Sequence, residues 1–241
     1  MSQSKVTTSM RHTALCFIGF GLLAVAFVVI AMLVGSGNQR VIDFDHKWIG
    51  RIQAQETPIW TQVAETLSWI GSTQIVIVIE VALLAFLLLV PRLRWEPLLL
   101  LVATGGSALL NILLKNLFRR ERPDINRLAE EYSFSFPSGH SMGAFALYGI
   151  LAYLLWRMIR PLPLRIVALV LCILLTLTIG LSRIYLGVHY PSDVIGGYAA
   201  SGAWLALTIG AFEYWRHRKQ RRLGGRSEAD LQNAEADRAP I

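Results

Sequence analysis

RIVALVLCILLTLTIGLSRIYLGVHYPSD, residues 165–193, decides what kind of fold this chain adopts. Its first twenty residues, 165–184, carry charge only at Arg165 and Arg183, close to the two ends. About 20 such residues in a helix cross a hydrocarbon core of ~30 Å. The stretch then runs through Gly187 and Pro191 into a polar cluster made of Ser182, Arg183, His189 and Asp193. A membrane span therefore hands over directly to side chains that can do chemistry.

Outward from this stretch, comparable apolar runs occur near 13–34, 73–90, 97–114, 139–156 and 193–212. Six spans predict an all-α, polytopic six-helix bundle. Residues 1–212 read as one membrane domain with its core at 73–212, and 213–241 as a basic, then polar tail that is disordered at its end. Composition agrees: 54% of residues are hydrophobic and 16% charged, where a soluble domain carries about a quarter. The first run follows Lys5 and Arg11, as a signal peptide would. It is longer than a usual signal h-region and lacks an A-x-A exit, so it is read as a retained span. Cys16 and Cys172 lie inside apolar runs without CxxC or Cys/His spacing, which argues against a disulfide framework or a zinc site.

The connections 91–97 and 156–165 are short and basic, with Arg92, Arg94, Arg157, Arg160 and Arg165. Together with Arg11 and the tail residues Arg216, Arg218, Lys219, Arg221 and Arg222, they fall on one side if the spans alternate. The positive-inside rule makes that side cytoplasmic, with both termini inside. The net charge of +7 is thus read as a topology signal and a contact for anionic headgroups, not as a nucleic-acid surface. The opposite side holds 35–72, 115–138 and 185–192. There Phe44, Trp48, Ile49 and Ile52 recur at helical spacing, and so do Trp60, Val63, Leu67 and Ile70 after Thr57-Pro58, an N-cap and first helical residue. Two short amphipathic helices between spans one and two fit this pattern, lying on the outer interface or capping the bundle. One segment breaks the charge rule: Lys115, Arg119, Arg120, Arg122 and Arg127 sit on the outer side. Binding an anion is a reason to keep them there.

Three motifs fall at outer span ends. Lys115 and Arg122 are seven residues apart, nearly two helical turns, which allows them to share one face before Pro123. They also read as two snorkelling cations. In Pro137-Ser138-Gly139-His140, Ser138 is an N-cap, Gly139 admits a ligand close to the backbone, and the helix start offers N–H groups to an anion. His140 beside that anion suits proton transfer. Between Ser182 and Asp193, Pro191 opens the last span and puts Asp193 in its first turn. From there the carboxylate can reach back to one nitrogen of His189 and free the other as a nucleophile. An acidic residue favoured by the helix dipole is the plainer reading. Two histidines, three cations, a carboxylate and a helix N-terminus on one side of a membrane are what phosphoryl transfer needs.

The same residues carry a resemblance. KxxxxxxRP at Lys115–Pro123, PSGH at Pro137–His140 and SRxxxxxHxxxD at Ser182–Asp193 are similar, in order and spacing, to the signature of the type 2 phosphatidic acid phosphatase superfamily. The resemblance covers about 73–212. It implies a lipid phosphatase in which His189 becomes phosphohistidine, oriented by Asp193. His140 then protonates the leaving oxygen, and Lys115, Arg122, Arg183, Ser138 and the Gly139 N–H hold the phosphate. It implies neither metal nor cofactor. The expected partners are lipid phosphates or diphosphates and the surrounding membrane lipids of a bacterial plasma membrane.

An outward site would meet outer-leaflet substrates, which favours undecaprenyl diphosphate over phosphatidylglycerol phosphate or phosphatidate. Arg119 and Arg120 offer either contacts to a second phosphate or contacts to headgroups. A phosphotransferase would share the motifs. A vanadate haloperoxidase would share the pocket, but those enzymes are soluble. A non-catalytic transporter would use intramembrane charge such as Glu80 and leave His189 and Asp193 idle; an interhelical hydrogen bond is the simpler role for Glu80. Gly197 and Ser201 form a small-residue packing face, within the chain or between copies.

Overall fold

In the computed structural model, residues 3–124 and 126–236 are described, with side chains described from 13 to 219. Expectations resting on the side chains of Lys5, Arg11, Arg221 and Arg222 lie outside the described residues. Eight helices follow one another: α1 (Gln3–Gly35), α2 (Gln39–Gln53), α3 (Pro58–Ile70), α4 (Thr73–Leu89), α5 (Glu96–Phe118), α6 (Gly139–Met158), α7 (Leu162–Tyr185) and α8 (Pro191–Ala236). Among the described residues the fold is all-α. Within them, five helices are long and apolar enough to cross a membrane, and a sixth span results when α3 and α4, bent by 49° at their junction, count as one. The polytopic fold read from the apolar runs is the one observed. Residues 237–241, the end of the tail expected to be disordered, lie outside the described residues.

The helices start where the sequence supplies caps. Thr57 accepts from the Trp60 N–H ahead of Pro58, and Ser72 accepts from Ile75, each satisfying an orphan donor of a first turn. Small residues let the long helices approach closely. A Cβ at Gly106 would meet the Trp204 ring at 2.2 Å, and one at Gly196 would meet Phe136 at 2.6 Å. Gly197 packs against Ser138 and Ser141, while Ser201 donates to the Met142 carbonyl at 2.9 Å. That small-residue face of α8 is used inside the chain, against α6. Glu80 on α4 accepts a hydrogen bond from Thr104 on α5, the interhelical bond expected of it.

The two ends of the bundle differ in chemistry. At one end Arg157 pairs with Glu96 at 3.2 Å, Trp95 packs edge-on against Trp215, and Lys219 lies over both rings. At the other, the end of α5, the starts of α6 and α8 and the end of α7 meet. Ser138 N–H donates to the Asp193 carbonyl, and Leu128 N–H to that of Leu186. Both α2 and α3 pack on this end. The α2 stripe divides: Ile49 is fully buried against Ile184 and Val194, whereas Phe44 and Trp48 are exposed. In α3, Ala64 and Ser68 are buried while Trp60 and Trp69 face outward. Helices of this kind cap the bundle on one face and offer aromatic side chains to an interface on the other.

The sequence reading of Lys115 and Arg122 as neighbours on one helical face is corrected. Helix α5 stops at Phe118, where Arg119 takes a left-handed cap (φ 46°) and its N–H bonds the Lys115 carbonyl. A residue in that conformation ends the helical ladder. The chain then leaves the helix without forming another regular element up to Asp124, so Arg120 and Arg122 depart from the helix axis and meet different partners.

Candidate active site

His189 lies in the turn between α7 and α8 and is 1% exposed. Its Nε2 stands 3.3 Å from an Arg122 guanidinium nitrogen. A guanidinium only donates, so Nε2 presents its lone pair and the ring proton sits on Nδ1. Nδ1 faces Asp193 Oδ2 at 3.5 Å and Ser135 Oγ at 3.4 Å. The first turn of α8 does hold Asp193 at the histidine, as the Pro191 helix start requires, though the contact is long. Burial pushes the His189 pKa down to about 4, against the opposing pull of Asp193.

Asp193 is fully buried and, besides facing His189, is held by three groups. Ser135 Oγ donates to it, Tyr190 N–H donates at 2.9 Å, and Arg120 pairs with its other oxygen at 2.6 Å. Arg120 also pairs with Asp45 of α2 at 2.8 Å and stacks over the Tyr190 ring at 4.1 Å. Asp45 in turn accepts from the N–H and hydroxyl of Ser192. The sequence reading missed Asp45, although a signal was present: Asp45, Ile49 and Ile52 share one stripe, and a carboxylate in an apolar stripe needs a cation. Ser135 carried no signal beyond its place beside the PSGH motif. Arg120 is committed to two buried carboxylates, and Arg119 donates to the Asn116 carbonyl at the exposed helix end. Neither is poised for a second phosphate, which corrects that expectation.

Lys115 and Arg122 converge without sharing a helix. Lys115 donates to Ser133 Oγ at 3.1 Å and to the Phe134 carbonyl. Arg122, 9% exposed, donates to the Ser133 carbonyl at 2.6 Å and to the Val188 carbonyl at 2.7 Å. Arg183 at the end of α7 donates to Ser68 of α3 and to Glu131 of the α5–α6 loop. Glu131 was not singled out in the sequence, because nothing in its neighbours marks it.

Ser138 caps α6 as read: its buried hydroxyl accepts from the Ser141 N–H and hydroxyl. Gly139 faces Asn111, whose Oδ1 would lie 3.1 Å from an added Cβ. His140 opens α6 and lines a cavity of about 470 Å³ with Arg183, Ser68, Glu130 and Glu131. It is within electrostatic range of Arg183, His189, Arg122 and Lys115. The eight residues read from the motifs therefore gather at one end of the bundle, with Ser138 turned into its own helix cap. No cluster of three or more His, Cys, Asp or Glu with metal-ligand spacing occurs among the described residues.

Residues 96–217 match the profile of the PAP2 superfamily. The crystal structure of a transmembrane PAP2-type phosphatidylglycerolphosphate phosphatase from Bacillus subtilis superposes with a TM-score of 0.74 at 29% identity, covering 81% of this chain and 96% of that one. Phosphatidylglycerophosphatase B of Bacillus subtilis strain 168 is 39% identical over 126 residues, 51% of this chain and 60% of the relative. A putative undecaprenyl-diphosphatase, YbjG, of Escherichia coli K12 is 32% identical over 106 residues, 41% of this chain and 48% of the relative. The chain thus spans three-fifths or less of the length of these two curated relatives.

Proposed function

The chain belongs to the PAP2 superfamily, and from that premise we propose that it is a membrane lipid phosphatase working through a phosphohistidine on His189. The buried His189–Asp193 pair, set against Arg122, carries this reading. His189 Nε2 attacks phosphorus in line, and the bond from phosphorus to the lipid oxygen breaks. His140 gives its proton to that oxygen. Water then attacks phosphorus as His140 accepts its proton, the phosphorus–nitrogen bond breaks to return His189, and inorganic phosphate leaves. Lys115, Arg122 and Arg183, with the Gly139 N–H at the helix start that Ser138 caps, hold the non-bridging oxygens as charge develops on them. These fixed cations supply the positive charge, so the proposed reaction calls for no metal or cofactor.

The site is proposed to face outward, with both termini cytoplasmic, on the strength of Arg92, Arg94, Arg157, Arg160 and Arg165 at the opposite end of the bundle. An outer-face site favours undecaprenyl diphosphate. The likeness to the Bacillus subtilis phosphatidylglycerolphosphate phosphatase supports a second reading, phosphatidylglycerol phosphate. A phosphate-release panel on purified protein separates them: polyprenyl diphosphate, phosphatidylglycerol phosphate, phosphatidate and a water-soluble ester. Release from none of the lipids would end the phosphatase reading. In the same assay hydrolysis is expected to survive excess EDTA and to fall with orthovanadate, a mimic of the pentacoordinate state. Strict dependence on added magnesium contradicts the histidine route.

Orientation has its own test. In a background lacking Cys16 and Cys172, a cysteine at exposed Glu65 should react with a membrane-impermeant thiol reagent in intact cells, and one at exposed Arg160 should not. The reverse labelling pattern puts the site in the cytoplasm and removes the outer-leaflet argument.

The pH profile follows from the need for neutral His189. Its pKa is held down to about 4 by burial, below the ordinary value near 6.5. The ring is therefore neutral and competent through pH 5–8, and activity is lost as pH falls through the depressed value. His140 must also carry a proton, a form favoured once an anionic phosphate sits among its cationic neighbours, so phosphoenzyme formation should be bell-shaped in pH, with an alkaline limb that belongs to the substrate complex and an acid limb well below 6.5. A flat profile from pH 4 to 9 argues that neither histidine limits the step.

A further inference from the structure

Resting on the reading of Arg122 and Arg183 as phosphate ligands, we propose that Glu131 is a built-in competitor for that phosphate, taking the arginine donors that substrate and product oxygens use. Glu131 Oε1 accepts from Arg183, and its Oε2 lies 3.7 Å from Arg122. One carboxylate thus bridges the two cations that the motifs assign to phosphate. The match is incomplete: Ser68 takes one arm of Arg183 and Glu131 another, while the buried Arg183 Nε finds no acceptor among the described residues. A guanidinium offers adjacent donors to two oxygens of one anion. A tetrahedral phosphate seated on Arg183 fills Nε and the neighbouring arm together, which this carboxylate does not.

The partners are also unequal in freedom. The side chains of Arg183 and Arg122 are 3% and 6% exposed, whereas that of Glu131 is 28% exposed. Glu131 sits in the helix-free α5–α6 loop, beside Glu130 and a Tyr132 that is 94% exposed. The acid can swing toward water, and the arginines cannot. When a phosphate arrives, like charge drives the carboxylate off. When inorganic phosphate is formed, the returning carboxylate re-forms the arginine pairs and helps it depart. Glu131 therefore sets how tightly the site holds free phosphate, and with it the rate of product release.

The experiment is direct binding of inorganic phosphate and orthovanadate to the purified full chain, by titration calorimetry, beside steady-state hydrolysis of a lipid phosphate. Glu131→Gln keeps the shape and removes the charge; it should tighten both anions by roughly tenfold, as expected for deleting one like charge a few ångströms away, and lower kcat and KM together. Glu131→Asp keeps the charge and should stay within about threefold of wild type. Glu121→Gln, exposed in the same loop and outside the cavity that His140 lines, controls for general surface charge and should change neither constant. Unchanged or weaker anion binding in Glu131→Gln overturns the proposal, because Glu131 would then only orient the arginines. Equal tightening in Glu121→Gln overturns it as well. Should wild type bind neither anion, the phosphate-site reading itself fails, an outcome distinct from wild type binding without tightening in the variant.

Discussion

His189→Ala is expected to lose turnover on every substrate, by ~10⁴-fold or more, as a nucleophile acting within a catalytic unit does. His140→Ala should lose unequal amounts on different substrates. Removing His140 takes away the proton that the departing lipid oxygen needs, but leaves the Nε2 of His189 beside Arg122. General acid assistance contributes typically ~10²–10⁴-fold. A lipid phosphate monoester leaves as a basic alkoxide and should suffer most of that loss. p-Nitrophenyl phosphate leaves as a weak base and should suffer little. The ratio of activated-ester to lipid activity should therefore rise in His140→Ala. In His189→Ala both activities should disappear together. Acid-labile label from radioactive substrate should appear on quenched wild type and be absent from His189→Ala. Label on His189→Ala but not on His140→Ala would mean that the two roles are exchanged.

The parts of the molecule that could be read in advance share a physical property: they depend on near neighbours in the chain. A span is legible because hydrocarbon demands about twenty apolar residues in succession, and α5 to α8 follow from that alone. The starts of α3, α6 and α8 were legible because Thr57-Pro58, Ser138 and Pro191 act within one turn. Asp193 could be placed at His189 because four residues across a helix start leave little choice of position. The failures involve the loop. Extrapolating α5 through Arg122 ignored the left-handed cap at Arg119, which only the tertiary path of the loop determines. Arg120 was offered to a second phosphate because its buried partners, Asp45 and Asp193, lie 75 and 73 residues away. Glu131 stands 52 residues from Arg183, and its neighbours Glu130 and Tyr132 read as ordinary solvated loop. Helix periodicity finds faces, but it does not find which charges a folded loop brings to them.

Arg120→Ala is expected to be the most damaging change outside the two histidines. The guanidinium joins α2 to α8 by pairing with Asp45 and Asp193, and both carboxylates are fully buried. Removing one member of a buried pair leaves uncompensated charge and costs about 3–5 kcal/mol. Here two carboxylates lose the same partner, although the 17% exposure of the Arg120 side chain admits some water and holds the cost within that range. Asp193 would keep Ser135 and the Tyr190 N–H but lose the ion pair that fixes its other oxygen, so the His189 ring loses its orientation. Thermal unfolding in detergent should show the loss, and activity should fall on monoester and diphosphate substrates alike. A second substitution tests the cause. Asp45→Asn removes one of the stranded charges, so Arg120→Ala with Asp45→Asn should unfold at a higher temperature than Arg120→Ala alone. If the double variant is less stable than the single, the two residues act independently and the bridge contributes nothing. If Arg120→Ala folds normally and loses only diphosphate hydrolysis, then Arg120 serves a second phosphate after all, and its pairing with Asp45 and Asp193 gives way when that substrate binds.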